Sequence, residues 1–159
     1  PGHALAHRAF EQGITIAEKI AGADPKPVLD DTVPQVVFSF PEAASVGLTL
    51  DQAKAREDVV EPKETAYPML SNARMLMSGE GGSMTVVSGA FANNPDMQVV
   101  LGVHIVSPIA SDLIAEAEQL VGNRVPLADA ARLIHPHPTF SETLGEALLK
   151  ADGRPLHTR

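Results

Sequence analysis

Residues 83–91 (SMTVVSGAF) and 97–106 (MQVVLGVHIV) constrain the fold of this chain more than any other feature. Both runs are rich in β-branched and other apolar residues, the pattern of strands in a largely buried sheet. Between them stand Ala92, Asn93, Asn94, Pro95 and Asp96, nearly all turn formers, so the two runs should close into a β-hairpin. A hairpin makes the sheet antiparallel. Because most of the helical segments follow the strands and do not alternate with them, the expected class is α+β: an antiparallel sheet with helices packed on it.

The remaining segments fit that plan. Residues 4–21 read as an amphipathic helix, with Leu5, Phe10, Ile14, Ala17 and Ile20 on or near one face and Gly22 as its C-cap. Residues 22–34 carry three prolines and three aspartates and read as a linker, the best boundary in the chain. A strand is expected at 35–40, stopped by Pro41, then a short extended piece. A helix from about Leu50 to Arg56 should follow, with Thr49 and Gln52 as a capping box. The proline-interrupted residues 57–68 suit an edge strand. The glycines of GEGGS, 79–83, precede a strand and lack a phosphate-loop lysine, so they read as a turn. After the hairpin, Ile109, Leu113, Ala117 and Leu120 mark the stripe of one helix, and a short helix opens near Pro126. A last helix is expected at about 140–150, and the polar tail 152–159 should be loose. The division is therefore 1–22 as a helix belonging to another domain, 23–34 as linker, 35–151 as the main domain, and 152–159 as tail.

Composition narrows the function. A net charge of −8 and a pI near 5.1 argue against nucleic acid and anionic membrane surfaces, which both demand clustered Lys and Arg. With no cysteine, the chain holds no disulfide, thiolate nucleophile or iron–sulfur ligand. No apolar run reaches the ~18 residues of a membrane-spanning helix. The first residue is Pro1 rather than Met, which reads as a cut in something longer.

The chemistry concentrates in LIHPHPTFSETLGEALL, 133–149. Two imidazoles, His135 and His137, alternate with Pro136 and Pro138, each of which fixes φ and stiffens the corner. Thr139 and Glu142 have the spacing of a capping box, in which Glu142 satisfies an orphan backbone N–H. The same carboxylate is also placed to reach His137, where it would fix the tautomer and favour a general base. Local sequence leaves both roles open. Metal binding through His135, His137 and Glu142 is a weaker alternative, because apart from Glu142 no third ligand is spaced locally to complete the histidine pair. His104 lies among apolar residues and reads as a packed or edge histidine.

HPHPTFSE, 135–142, resembles the H-x-H-P-T-x-S-E signature of the pyridine nucleotide–disulfide oxidoreductases, and most of all their dihydrolipoamide dehydrogenase branch. ALAHRAFEQGITIAEKIAG, VPQVVFSFPEAASVGLTLDQAKA, LSNARML and VLGVHIVSPIASDLIAEA resemble further family segments in the family's order, so the likeness covers nearly the whole chain. The resemblance implies a cytoplasmic homodimer using FAD and NAD, in which electrons pass from a dihydrolipoamide-type dithiol through a disulfide and flavin to NAD. Residues 35–151 would be its dimerisation (interface) domain, which completes the partner's active site. His137 would be the base, with Glu142 orienting and charging it, and the His137–Pro138 bond would be cis. His135 would approach the partner's flavin through its backbone. Ala4, Leu5, Ala6 and His7 match the helix start that meets the flavin in the same subunit. Pro136 departs from the small residue more usual there.

The dinucleotide fingerprints, the dithiol pair and the NAD domain are not in this sequence, so the chain alone is expected to bind no cofactor and to be inactive. No resident metal is implied. The alternative is a free-standing dimerisation module without catalysis.

Overall fold

The computed structural model describes residues 2–158, so Pro1 and its reading as a cut lie outside the described residues. Five antiparallel strands form one sheet in the order β1-β2-β5-β4-β3. They are β1 (Gln35–Val37), β2 (Glu42–Gly47), β3 (Val59–Pro68), β4 (Ser83–Phe91) and β5 (Asn94–Ser107). The helices are α1 (Ala6–Ile20), α2 (Leu50–Ala55), α3 (Ala73–Ser78), α4 (Ala110–Gly122), α5 (Leu127–Ala130) and α6 (Glu142–Ala151). The α+β class expected from the strand order is the class observed.

The hairpin is tighter than its sequence suggested. Phe91 pairs with Asn94, which leaves Ala92 and Asn93 as a two-residue turn and draws Pro95 and Asp96 into β5. β5 then runs for 14 residues through the middle of the sheet, between β2 and β4. Its residues change faces part-way. Val103 and Ile105 join the main core with Val100, whereas Val99 and Leu101 join a second cluster with Leu48, Ala53, Val59 and Val87. Strict alternation would put 99, 101, 103 and 105 on one face. The pairing moves from Val87↔Gly102 to Ser88↔Val100, so Leu101 is an extra residue on β5, and this bulge reverses the parity.

The bulge coincides with a close backbone crossing. Gly47, at φ +80, pairs with Gly102, and Leu48 N–H donates to Leu101 O at 2.9 Å. A Cβ on Gly102 would lie 2.2 Å from the Leu48 carbonyl oxygen. Only glycine fits such an approach.

α4 and α6 pack on one face of the sheet. Leu113, Ile114, Ala117 and Leu120 of α4 and Leu144, Ala147 and Leu148 of α6 meet Val46, Met84, Val86, Val103 and Ile105. Glu42 of β2 accepts the Ser111 N–H at 2.8 Å and so satisfies a donor in the first turn of α4. That bond holds the Glu42 carboxyl below its ordinary range. Thr49 and Gln52 make the expected capping box on α2.

Several expectations need correction. The strand expected over 35–40 stops at Val37, because residues 38–41 form the loop of a β1–β2 hairpin, with Phe38 and Phe40 exposed. The extended piece after Pro41 is a full six-residue strand, β2. α1 forms, but its apolar stripe is uncovered: Phe10 is 73% and Ile20 83% exposed, and no α1 residue is buried. An Arg8–Asp30 ion pair at 2.6 Å holds α1 to the segment that follows it. The described part of the tail is tied back rather than loose, since the His157 N–H and ring both reach Glu146.

Candidate functional site

The corner between α5 and α6 points its two imidazoles in opposite directions. The His135 ring turns inward between α4 and α6. Its Nε2–H donates to Glu116 Oε1 at 2.7 Å, and only 9% of its side chain is exposed. Gly145 of α6 makes room for it, since a Cβ there would come within 2.6 Å of His135 Nδ1. The Glu116 hydrogen bond raises the proton affinity of His135. Burial opposes it, and the Glu116 charge, a Leu133 backbone bond and the Glu142 charge add to it. With its ring committed inward, His135 offers mainly backbone to an outside partner.

His137 points outward, with 71% of its side chain exposed. Its Nδ1 lies 2.9 Å from Glu142 Oε1, and a carboxylate acceptor there requires the ring proton on Nδ1. The lone pair of Nε2 is then free to take a proton. Glu142 Oε2 accepts the Thr139 N–H at 2.8 Å, so one carboxylate fills both roles that the sequence left open. The capping box itself is only half formed. Thr139 Oγ1 donates to Pro136 O at 2.6 Å instead of accepting the Glu142 N–H, and Ser141 takes the N-cap position. Burial is the largest influence on Glu142 and pushes its carboxyl up. The Thr139 N–H, the His137 hydrogen bond and the charges of His137 and His135 together outweigh it and hold the carboxyl below its ordinary range. The His137–Pro138 peptide is cis, as the resemblance implied.

Other residues steady this corner, and sequence spacing did not reveal them. Asn72 caps α3 through Oδ1 and donates from Nδ2 to Thr139 O at 3.1 Å. Arg74 lies over the Phe140 ring, 5.5 Å from its centroid. One turn along α6 from Glu142, Glu146 holds His157 Nδ1 at 2.7 Å. His137, Glu142, Glu146, His157 and the buried Tyr67 line one pocket of about 160 Å³. The three side chains of the metal alternative do not converge, because His135 goes to Glu116 and His137 to Glu142. Among the described residues no group of three or more His, Asp or Glu is placed to hold a metal ion.

The N-terminal residues form a separate place. Ala4 and Leu5 line a groove of about 460 Å³ with Gln35, Ser45, Thr85 and His104, on the sheet face opposite α4 and α6. Leu5 stands at the N-cap of α1 with no side-chain cap, and the first turn carries no acidic residue. Ala6 opens the helix. The His7 ring donates to Pro34 O at 2.7 Å, and the His104 ring to Leu48 O at 3.1 Å.

Comparison with known proteins decides what this arrangement belongs to. Residues 33–148 match the family profile described as pyridine nucleotide-disulphide oxidoreductase, dimerisation domain. The chain belongs to this family. The profile takes in His135, His137 and Glu142 and leaves out Ala4, Leu5, Ala6 and His7. Dihydrolipoyl dehydrogenase of Bacillus subtilis is 40% identical over 157 residues, covering 98% of this chain and 32% of the relative. The Cupriavidus necator enzyme of the same name is 40% identical over 158 residues (98% of this chain, 31% of the relative), and a mitochondrial one of Arabidopsis thaliana is 36% identical over 157 (99% and 30%). The crystal structure of LpdA from Mycobacterium tuberculosis superposes with a TM-score of 0.81 at 29% identity, covering 92% of this chain and 31% of that one. The flavoprotein disulfide reductase RclA of Escherichia coli, with a TM-score of 0.76 at 18% identity over 92% of this chain and 33% of that one, shares the fold. The chain thus spans about a third of the length of its relatives. Among the described residues no helix is long and apolar enough to cross a membrane.

Proposed function

We propose that residues 35–151 form the interface domain of a dihydrolipoyl dehydrogenase-type homodimer, and that His137 with Glu142 is the acid–base pair it supplies to the partner's active site. The observation that carries this reading is the His137 Nδ1···Glu142 Oε1 contact of 2.9 Å, with the rest of the ring exposed. Glu142 keeps the proton on Nδ1 and stabilises the imidazolium that forms when Nε2 takes a proton from a substrate thiol. The thiolate so produced is the nucleophile that thiol–disulfide exchange requires. Coupling of one carboxylate to one imidazole follows the same logic as a Ser-His-Asp triad, with a dithiol in place of the serine.

FAD, when bound, would supply the redox chemistry between the dithiol and NAD. The residues here fit only a corner of its site. The uncapped N-terminus of α1, lacking any acidic first-turn residue, suits a group that gains negative charge, and Ala4, Leu5, Ala6 and His7 stand there. On this reading 1–22 is a helical piece of the flavin domain itself, and 23–34 links it to the interface domain. The exposed Phe10, Ile14 and Ile20 of α1, and Phe38 and Phe40 of the β1–β2 loop, are apolar surface of the kind that a larger assembly covers.

A chimera tests the assignment. The 159-residue chain would replace the matching third of the Bacillus subtilis enzyme, and flavin content, sedimentation and NAD reduction by dihydrolipoamide would be measured. His137→Gln should lower turnover by about 100-fold or more with flavin content unchanged, the usual scale of a lost general base. Full turnover without the imidazole would remove the base assignment. A flavin-free, monomeric chimera would remove the interface assignment.

A further inference from the structure

The pocket behind Glu142 holds more acceptors than donors. Glu142 and Glu146 lie one turn apart on α6 and both face it. A carboxylate offers about four lone-pair sites, and the protein uses two on each. On Glu142 these go to the His137 ring and the Thr139 N–H. On Glu146 they go to the ring and N–H of His157. The donor facing them is Tyr67, which is 1% exposed and whose hydroxyl has no hydrogen-bond partner among the described residues.

Tyr67 reaches the pocket from β3, while α3 and the turn before it contribute Ser71, Asn72, Ala73 and Leu76 to the lining, none of them ionisable. Burial first, then the charges of Glu146 and Glu142, push the Tyr67 hydroxyl up to about 12, which keeps it a neutral donor in the pocket that both carboxylates line. A buried, unpartnered hydroxyl is costly unless something bonds to it. A cavity of about 160 Å³ has space for several waters, each of which needs two to four polar partners.

We propose that this pocket holds a small cluster of ordered water, and that Tyr67, bonding through it to Glu142, is a positioning residue for the His137–Glu142 pair. The Glu146–His157 pair closes the pocket from the tail side and supplies the remaining acceptors. Tyr67 donates to a water, and that water donates to the free lone pairs of Glu142 and Glu146. Glu142 is thereby held square to His137 Nδ1 from the side opposite the ring. The inference rests on the reading of His137 as the base, but its test involves neither flavin nor turnover, so failure of one is distinguishable from failure of the other.

The 159-residue chain itself carries the test. Two-dimensional NMR of its imidazole nitrogens gives the His137 tautomer ratio, which a purely structural role of Tyr67 would leave alone. The native chain should show His137 mainly as the Nδ1–H tautomer. Tyr67→Phe should move the ratio about twofold or more towards the mixture of a free imidazole, since a net hydrogen bond changes an equilibrium several-fold. The melting transition should show that the variant is folded. Tyr67 is the only tyrosine and there is no tryptophan, so near-ultraviolet absorbance follows its ionisation without interference. In Glu146→Gln that midpoint should fall relative to the native chain, because one of the charges that raise it is removed. An unchanged tautomer ratio in folded Tyr67→Phe would overturn the positioning role. A crystal structure showing Tyr67 Oη bonded directly to protein, or a cation seated between the carboxylates, would overturn the water cluster.

Discussion

Alanine in the middle of a helix ordinarily stabilises relative to glycine, by about 1 kcal/mol. At position 145 the structure reverses the sign. The new methyl would stand 2.6 Å from His135 Nδ1 and 2.9 Å from Cε1, where ordinary contact begins near 3.4 Å. The imidazole has nowhere to withdraw, because its far nitrogen is held to Glu116 at 2.7 Å and its side chain is only 9% exposed. Forcing it aside costs about 1–3 kcal/mol as overpacking. Losing the Glu116 bond adds about 1 kcal/mol, somewhat below the usual range for a charged hydrogen bond because Glu116 is 35% exposed and screened by solvent. Set against the propensity gain, Gly145→Ala should destabilise the chain by about 1–3 kcal/mol. Urea unfolding followed by circular dichroism measures this directly. The diagnostic is the double variant. With His135→Ala already present, Gly145→Ala should be neutral or stabilising, and the coupling between the two sites gives the clash. If Gly145→Ala stabilises the chain with His135 in place, the inward ring is misplaced.

Other perturbations follow from the same geometry. The proton affinity of His135 is raised above its ordinary 6.5, so its stabilisation is complete below that value and fades as pH rises through the folded-state value. The deficit of His135→Asn should therefore shrink between pH 6 and alkaline pH in urea titrations, and a deficit that grows would contradict the pairing. Glu142 is shifted the other way. Its contribution is complete above 4.5 and lost as pH falls through its lowered value, so Glu142→Gln should match the native chain only in acid. Gly102→Ala meets the Leu48 carbonyl at 2.2 Å, where only backbone could yield, and should cost about 3 kcal/mol or more in a thermal melt. A loss below ~1 kcal/mol would deny the close crossing. Leu144→Ala removes a fully buried side chain and should cost about 2–5 kcal/mol by the same assay.

What could be read in the sequence was what depends on neighbours along the chain. The hairpin, the Thr49–Gln52 cap and the α4 stripe are local periodicities and pairings, and each is present, the hairpin with a tighter turn than expected. β1 ended early because its strand residues continue into a hairpin loop whose phenylalanines face out. α3 went unread because six residues are too few to show a period and it lacks the two-sided capping box that marks the equally short α2, although Asn72 at its start is a good cap. The site divided along the same line. The His137–Glu142 contact spans five residues and was legible. The Glu116–His135 contact spans 19, and Tyr67 and His157 are brought to α6 from β3 and the tail by tertiary packing alone. The direction in which each imidazole turns was equally hidden, because it depends on Gly145 leaving space on a helix that had not yet been packed.

The position of β5 in the sheet has a kinetic consequence. β3, β4 and β5 form a meander in chain order, so their pairing closes only short loops. The β2 edge of β5 is different: Ser45 meets His104 and Gly47 meets Gly102, across more than half a hundred residues. Closing the longer loop costs more entropy before any contact repays it, which favours a folding nucleus in the meander with β1–β2 docking late. Val86→Ala should then slow folding, whereas Val46→Ala should mainly speed unfolding. Stopped-flow measurements in urea separate the two, and equal effects on both limbs for the pair would place β2 in the nucleus. If the order holds, the strand that carries Gly47 arrives at a sheet already bulged at Leu101, and the crossing of Gly47 and Gly102 is made after the meander has formed.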